Sequence, residues 1–227
     1  MIARPNIACR LVLEMLALVA LALPPATALA NPGTLDTAFG DGGKSAITVR
    51  TGYDRLAVAV VRPDGRFLAA GTFCIGPYST DPWNPGCPRR AVVMQWMADG
   101  QPDSSFGAGG RVEIEGLREA SAVALQPDGR VLVGGVKPDH RLGLARLTPA
   151  GQLDASFGSG GLASTTVMGA PRAIALQADG RIVIGGRYQR IDSIGRFLAL
   201  RLTADGAADA SFGVDGIGDD TVAGEAI

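Results

Sequence analysis

Aromatic residues, histidine and net charge are scarce in this chain. Of its 227 residues, 5% are aromatic and one is a histidine, and the formal net charge at pH 7 is -1. Because the charges nearly balance, the composition offers no basic field for a polyanion, and we exclude a nucleic-acid partner. A single histidine excludes metal sites that need two or three, such as the H-E-x-x-H metalloprotease site and a three-histidine zinc site.

Further absences bear on catalysis. His140 is expected to be a solvated turn residue, because it lies in the segment Pro138-Asp139-His140-Arg141. The chain contains no G-x-S-x-G elbow and no S-x-x-K motif, which are typical of serine hydrolases and β-lactamases. These residues supply no catalytic constellation, so we expect the chain not to be an enzyme.

A long apolar run occurs near the N-terminus, where Leu11–Leu23 is interrupted only by Glu14. This run is shorter than the ~20 residues needed to cross a bilayer as a helix. It follows Arg4 and Arg10 and precedes the small residues of Ala28-Leu29-Ala30, a pattern that predicts a signal peptide over residues 1–30, cleaved between Ala30 and Asn31. We therefore expect an exported protein, periplasmic or secreted, without stable membrane insertion.

Cysteine is also rare, with three residues in the chain. Cys9 lies in the predicted signal peptide, which leaves Cys74 and Cys87 as an even pair in an oxidising compartment, and we predict that they form a disulfide. Closing a loop of this size stabilises the fold by ~3 kcal/mol in the chain-entropy model. A bonded pair leaves no thiolate for metal binding or nucleophilic catalysis.

Glycine, in contrast, is abundant, and much of it belongs to two repeated motifs. One motif, here called the Phe-Gly marker, occurs four times with an aspartate and a phenylalanine at fixed spacing. The other is a Pro-Asp-Gly-Arg turn that occurs three times between markers, with alanine replacing proline in the last copy. The markers contain Asp36 and Phe39, Asp103 and Phe106, Asp154 and Phe157, and Asp209 and Phe212; the turns contain Asp64 and Gly65, Asp128 and Gly129, and Asp179 and Gly180.

The repeats divide residues 31–227 into units of about 33–99, 100–150 and 151–205, with the start of a fourth at 206–227. Each unit reads as four strands: a short run after the marker, two runs joined by the Pro-Asp-Gly-Arg turn, and a last strand. The second and third runs are apolar at nearly every position, which predicts strands buried on both faces. The last strand becomes polar near its end, at Gln95, Arg146 and Arg201, where we expect it to approach solvent.

Four-stranded antiparallel sheets covered on both faces are typical of blades in a β-propeller, whereas a two-sheet sandwich would show alternating polarity. We therefore predict an all-β propeller with about three blades. Propellers usually close with four to eight blades. Three explanations are open: two copies complete one ring as a homodimer, further blades were lost by truncation, or an open arc binds a partner.

The pairing of a Leu-Asp-x-Ser-Phe-Gly-x-Gly-Gly marker with a Pro-Asp-Gly-Arg turn, at a period of about 50 to 60 residues, resembles the delta-60 repeat of exported bacterial proteins. The resemblance covers Gly33 to about Ile217. It implies a propeller fold and carries no activity, ligand or site residue with it. The sequence departs from this pattern at Ala38, Pro102, Ala178, Ala208 and Asp215.

The marker aspartates recur once per unit, which favours a structural, turn-capping role over catalysis, since a catalytic carboxylate needs one special environment. Weak calcium binding stays an open alternative, because further carboxylates occur at Asp41, Asp215, Asp219 and Asp220. We expect no other cofactor. The marker phenylalanines are expected to pack between adjacent blades.

The segment between Cys74 and Cys87 is not repeated and contains Tyr78 and Trp83, a candidate contact loop for a protein or glycan partner. The alternative is a surface insertion stapled against proteases. The sequence favours a non-catalytic scaffold or binding propeller. A propeller hydrolase with its site at the central mouth or in missing blades, and a truncated remnant of a longer repeat protein, are the alternatives.

Overall fold

The computed structural model describes residues 33–47, 54–76, 87–189, 195–214 and 216–219. The predicted signal peptide with Ala30 and Asn31, and the residues Tyr78 and Trp83, lie outside these ranges. The chain divides into compact units Met1–Asp36 and Thr37–Ile227, and the description below concerns the second. None of the described segments is a helix long and apolar enough to cross a membrane.

The described part of this unit consists of strands joined by tight turns. The strands are β1 (Arg55–Val61), β2 (Phe67–Cys74), β3 (Arg89–Trp96), β4 (Arg111–Ile114), β5 (Glu119–Leu125), β6 (Val131–Val136), β7 (Arg141–Leu147), β8 (Leu162–Leu176), β9 (Ile182–Gln189), β10 (Gly195–Leu202) and β11 (Ile217–Asp219). All strand pairs are antiparallel. The all-β prediction is confirmed.

The strands form three four-stranded sheets, here called blades. Blade 1 has the order β1-β2-β3-β4. Blade 2 contains β5, β6, β7 and the first half of β8, and blade 3 contains the second half of β8 with β9, β10 and β11. The strand β8 changes partner between Met168, which pairs with β7, and Gly169, which pairs with β9. A side chain at Gly169 has no room, because a Cβ there would lie 2.2 Å from the Arg187 carbonyl oxygen.

Each blade takes its fourth strand from the residues after the next marker. The strand β4, which follows the second marker, pairs with β3, which precedes it. The repeat units 33–99, 100–150 and 151–205 therefore do not coincide with the sheets, which run over 55–114, 119–168 and 169–219. A repeat period defines the length of a unit but leaves open where a sheet begins.

Two apolar clusters join the blades. Blade 1 packs on blade 2 through Leu68, Val93, Val131 and Val133, and Phe106 lies in the same cluster. The cluster between blades 2 and 3 contains Leu132, Leu142, Leu144, Phe157, Ile182, Ile184 and Leu200. Since residues on successive positions of a strand point to opposite sides, a blade buries both faces when it has a neighbour on each.

Burial departs from the sequence-based expectation at three places. In the second half of β8, which the sequence predicts to be buried on both faces, Arg172, Ala173 and Ala175 are exposed. The strand β1 is largely exposed, with Leu56 at 50% and Val61 at 68%, because only its face towards blade 2 is covered. The prediction that this strand is buried on both faces is wrong. Gln95 and Arg146 do not approach solvent either; they are 1% and 8% exposed. Each lies on the third strand of its blade, and its polar group binds the buried aspartate of a marker.

Candidate functional site

Three of the four marker aspartates, Asp103, Asp154 and Asp209, are the most buried carboxylates of the described residues and show what the repeated polar groups do. Asp103 is 4% exposed. Its Oδ1 accepts hydrogen bonds from the Ser105 backbone N–H (3.0 Å) and hydroxyl (2.5 Å), and its Oδ2 accepts from Gln95 Nε2 (2.7 Å) and Arg66 Nη1 (3.1 Å). The serine contacts explain the Asp-x-Ser spacing, since they cap the turn that carries the phenylalanine.

Blades 2 and 3 repeat this arrangement with arginine in place of Gln95. Asp154 accepts hydrogen bonds from Ser156, from Arg146 Nε at 2.8 Å and from Arg130 Nε at 2.8 Å. The same contacts join Asp209 to Ser211, Arg201 and Arg181. The arginine of each Pro-Asp-Gly-Arg turn thus binds the marker aspartate that follows it in sequence.

These contacts fix the protonation state of the three aspartates. Burial raises the pKa of Asp103, but hydrogen bonds from Ser105, Gln95 and Arg66 outweigh it and hold the pKa at about 2. The hydrogen bond from Ser156 is the main cause that lowers the pKa of Asp154 to about 2, and Ser211 does the same for Asp209. All three are ionised at neutral pH, so none has the raised pKa that a general acid needs.

Blade 1 exchanges the positions of an arginine and a glutamine relative to the other blades. Arg62 lies before the first Pro-Asp-Gly-Arg turn and donates Nε to Gln95 Oε1 at 2.9 Å. In the other two blades the glutamine precedes the turn and the arginine lies on the third strand. The pairs are Arg62 and Gln95, Gln126 and Arg146, and Gln177 and Arg201.

Both arrangements place one arginine where it can reach the following blade. Arg62 Nη1 donates to the Gly129 carbonyl (3.1 Å), and Arg146 Nη1 donates to the Ala204 carbonyl (2.8 Å). The Arg146 guanidinium also lies 4.5 Å from the Phe157 ring centroid, within cation-π range. The exchange therefore preserves a link between blades, and the repeated polar residues serve the architecture.

The marker phenylalanines differ in burial according to their neighbours. Phe106 and Phe157, which lie between described blades, are 0% exposed. Phe39 and Phe212, at the two ends of the repeat array, are partly exposed. Asp36, the first marker aspartate, is exposed. The aspartate, phenylalanine and first glycine of the motif are the same in all four copies, so these residues do not distinguish the buried copies from the partly exposed ones.

The Pro-Asp-Gly-Arg turns have one geometry throughout. Gly65, Gly129 and Gly180 have φ of 83°, 83° and 84°, a left-handed conformation that glycine adopts without strain. In each turn, a carboxylate oxygen of the preceding aspartate accepts a hydrogen bond from the arginine backbone N–H. These acceptors are Asp64, Asp128 and Asp179. These residues form the hairpin connections between the second and third strands of the units.

His140 holds the same position in another hairpin. It has φ 66°, its N–H donates to the Lys137 carbonyl, and Asp139 accepts from the Arg141 N–H. The segment is thus a Pro-Asp-Gly-Arg-like turn with histidine in place of glycine, between β6 and β7.

A disulfide closes the non-repeated insertion of blade 1. Cys74 and Cys87 are bonded, with Cα atoms 5.6 Å apart, so the predicted pairing is confirmed. Next to the bridge, the Ile75 N–H donates to the Pro88 carbonyl at 2.9 Å. The bond therefore clamps the base of the insertion at the ends of β2 and β3, whereas blade 2 joins its equivalent strands β6 and β7 by the short turn at His140.

A pocket lies on the face of blade 1 that points away from blade 2. Its volume is about 390 Å³, and Phe73, Met94 and Trp96 contribute to its lining. Trp96 stacks on Phe67 with 5.1 Å between ring centroids, and its buried Nε1 has no hydrogen-bond partner among the described residues. Sequence reasoning missed this pocket. The available signal was Trp96, since Leu147 and Leu202 hold the same position in the other units.

No group of three or more metal-binding side chains occurs within the described ranges. Of the carboxylates considered for weak calcium binding, Asp215 and Asp220 lie outside those ranges.

Comparison with known proteins identifies two segments of the chain that are similar to a β-propeller family. A family described as "Domain of unknown function (DUF5122) beta-propeller" matches residues 126–157 and 177–212. Each matched segment begins just before a Pro-Asp-Gly-Arg turn and ends at a marker phenylalanine. No curated protein matches the chain. The predicted propeller fold is confirmed, and over these two segments the chain is similar to a propeller-type repeat family of unknown function.

Proposed function

We propose that this chain is an exported, non-catalytic β-propeller module that binds a protein or glycan partner through the disulfide-closed insertion of blade 1. The observation that carries the proposal is the Cys74–Cys87 bridge at the base of an insertion that blade 2 lacks. We also assign the repeats to the delta-60 type, on the combination of the Phe-Gly marker with the Pro-Asp-Gly-Arg turn.

The polar groups of the repeats support a non-catalytic role. Asp103, Asp154 and Asp209 are ionised and fully engaged by serine, arginine or glutamine side chains of the same blade. A catalytic site would place at least one titratable group in an environment unlike the others. These groups instead recur in the same setting once per blade.

The position of the insertion supports a role in recognition. Binding residues are often found on loops held by a rigid scaffold. Here the scaffold is the β2–β3 hairpin, whose strands are continuously paired from Phe67 and Trp96 to Cys74 and Arg89. Tyr78 and Trp83 are rigid aromatic side chains of the type that dominates binding energies in protein interfaces.

The disulfide supports export, because structural disulfides form in oxidising compartments such as the periplasm and the extracellular space. The predicted signal peptide over residues 1–30 leads to the same location.

Binding can be tested with the exported chain on a glycan array and by photo-crosslinking in the cell envelope of its producer. We expect a bound glycan or protein that is lost in the double variant Tyr78→Ala/Trp83→Ala. The matched control is Val61→Ala/Met168→Ala, which removes two exposed apolar side chains, 68% and 50% exposed, outside the insertion. Binding that is unchanged in the Tyr78/Trp83 variant, or release of a cleaved glycan by the exported protein, would contradict the proposal.

A further inference from the structure

The contact between a marker and the blade that follows it is the same at three places in the chain. The glycine that ends the marker donates its N–H to a carbonyl in the turn after the third strand of that blade. The bonds are Gly40 to Asp99 (2.7 Å), Gly107 to Ala150 (2.8 Å) and Gly158 to Asp205 (2.8 Å). Each turn also contacts the marker phenylalanine, since a Cβ at Gly100, Gly151 or Gly206 would lie within about 3 Å of that ring. Each such turn therefore accepts one marker.

The described chain has four markers and three such turns, so the marker of Phe212 and Gly213 has no turn of its own. It lies beside the face of blade 3 that points away from blade 2. On that face Phe197 is 84% exposed, although its counterparts Ala91 in blade 1 and Leu142 in blade 2 are 0% exposed. This face of blade 3 therefore presents the same repeat positions that pack between blades elsewhere in the chain, but no described blade covers it.

The opposite end of the array has a blade face that a marker already covers. Residues 37–47 lie on the free face of blade 1, where Phe39 packs on Phe67 with ring centroids 5.8 Å apart and Ile47 contacts the apolar cluster of Phe73 and Met94. These residues correspond to 104–114, with Phe39 at the place of Phe106 and Ile47 at the place of Ile114. Phe39 is partly exposed whereas Phe106 is fully buried, so the cover is incomplete, and the pocket of about 390 Å³ remains beneath it.

We propose that a second copy of this chain docks head to tail, with blade 3 of one copy on blade 1 of the other. In this contact the marker that contains Phe212 binds the turn at Gly100 of the second copy. It displaces that second copy's own residues 37–47 from the turn. The two internal junctions are the template for the contact, since the same repeat positions meet there. Two such contacts join six blades, within the four to eight that close a propeller.

Residues 37–47 therefore compete with association, because one turn cannot hold both Phe39 and Phe212. Loss of the Phe39 contact should strengthen the dimer, and loss of Phe197 should weaken it. The inference goes beyond the proposed function and does not depend on it, because it concerns the purified chain alone.

Sedimentation velocity of the purified exported chain over the micromolar range tests the association. We expect a dimer for the wild type, and for Phe197→Glu a dissociation constant raised at least about 30-fold, as for a central interface residue. The matched control Met168→Glu also places a charge on an exposed apolar position, where β8 passes from blade 2 to blade 3 and away from both docking faces, and should remain dimeric. A wild type that stays monomeric, or a dimer that survives Phe197→Glu, overturns the proposal.

Two further measurements test the competition. Phe39→Ala should tighten the dimer by roughly tenfold, which corresponds to removal of a modest contact. Hydrogen exchange should show residues 37–47 losing protection on dimerisation while residues 209–214 gain it. A dimer in which residues 37–47 keep their protection, or a Phe39→Ala variant that is folded and dimerises no more tightly, overturns the displacement. Neither readout uses a glycan or envelope partner, so failure here is distinct from failure of the binding proposal.

Discussion

Replacement of Phe157 by alanine tests whether the marker phenylalanines join the blades. The ring is 0% exposed and lies in the apolar cluster between blades 2 and 3. It fits closely against Gly206, where a Cβ would come within 2.8 Å of the ring, and the Arg146 guanidinium covers it at 4.5 Å. Because the residues around the ring are packed this tightly, they cannot relax to fill the space that the ring would leave.

The expected cost follows from this packing. A fully buried phenylalanine replaced by alanine loses about 3 to 5 kcal/mol, and the lost cation-π contact puts Phe157→Ala near the upper end, at about 4 to 5 kcal/mol. For a domain of this size each kcal/mol lowers the melting temperature by about 2 to 4 °C. We therefore expect a fall of roughly 10 to 15 °C and a matching shift of the urea midpoint with an unchanged m-value.

The marker of Phe212 is the internal control, because its ring is partly exposed and no described blade follows it. Phe212→Ala should cost about 1 to 2 kcal/mol, the loss expected from partial burial. Both substitutions belong in the Phe197→Glu background, which prevents self-association from burying Phe212. Equal losses of stability for the two substitutions would refute the view that the phenylalanines act as packing between blades.

Three further predictions concern ionisation, a strained turn and the disulfide. The pKa of Asp103 is about 2 in the folded protein and 3.8 ordinarily, so ionised Asp103 should stabilise the fold fully above about pH 5 and lose this effect as the pH falls towards 2. Asp103→Asn should therefore lower the urea midpoint at pH 7 and make the urea midpoint fall less steeply in acid. A variant whose urea midpoint depends on pH as in the wild type would contradict this. His140→Gly should stabilise the chain by about 1 kcal/mol, because histidine occupies a left-handed conformation at φ 66°, while Gly129→Ala, at φ 83°, should destabilise it by a similar amount in thermal melts; a destabilised His140→Gly would show that its side chain has another role. Replacing Cys74 and Cys87 by serine should lower stability by about 3 kcal/mol and expose the insertion to proteolysis, measured by limited digestion of the folded protein, and an unchanged digestion pattern would argue against the clamp.

Much of the local structure could be predicted from short-range patterns. The Pro-Asp-Gly-Arg turns fix where hairpins occur, because proline, aspartate and glycine each favour a specific part of the turn geometry. The strands on either side follow from their apolar runs, and the Cys74–Cys87 bond follows from the even pair of cysteines that remains outside the predicted signal peptide. Each of these inferences depends on residues close together in the sequence.

The position of the polar network was not predictable in the same way. Gln95, Arg146 and Arg201 read as polar ends of a strand near solvent, yet Gln95 and Arg146 are buried and all three bind a marker aspartate eight residues away in sequence. A polar side chain is buried only where a partner satisfies it, and that partner is visible only when the marker folds back over the strand. The exchange of arginine and glutamine at positions 62 and 95 can likewise be explained only from the folded structure.

The sequence by itself determined the repeating unit, its turns and the antiparallel hairpins, because these depend on backbone preferences and on side chains a few residues apart. Only the tertiary structure decided that each blade borrows its fourth strand from beyond the next marker, and that Phe106 and Phe157 are buried while Phe39 and Phe212 are not. Identical motifs acquire different burial because burial depends on which neighbour covers them, and a neighbour is a property of the folded arrangement and not of the motif.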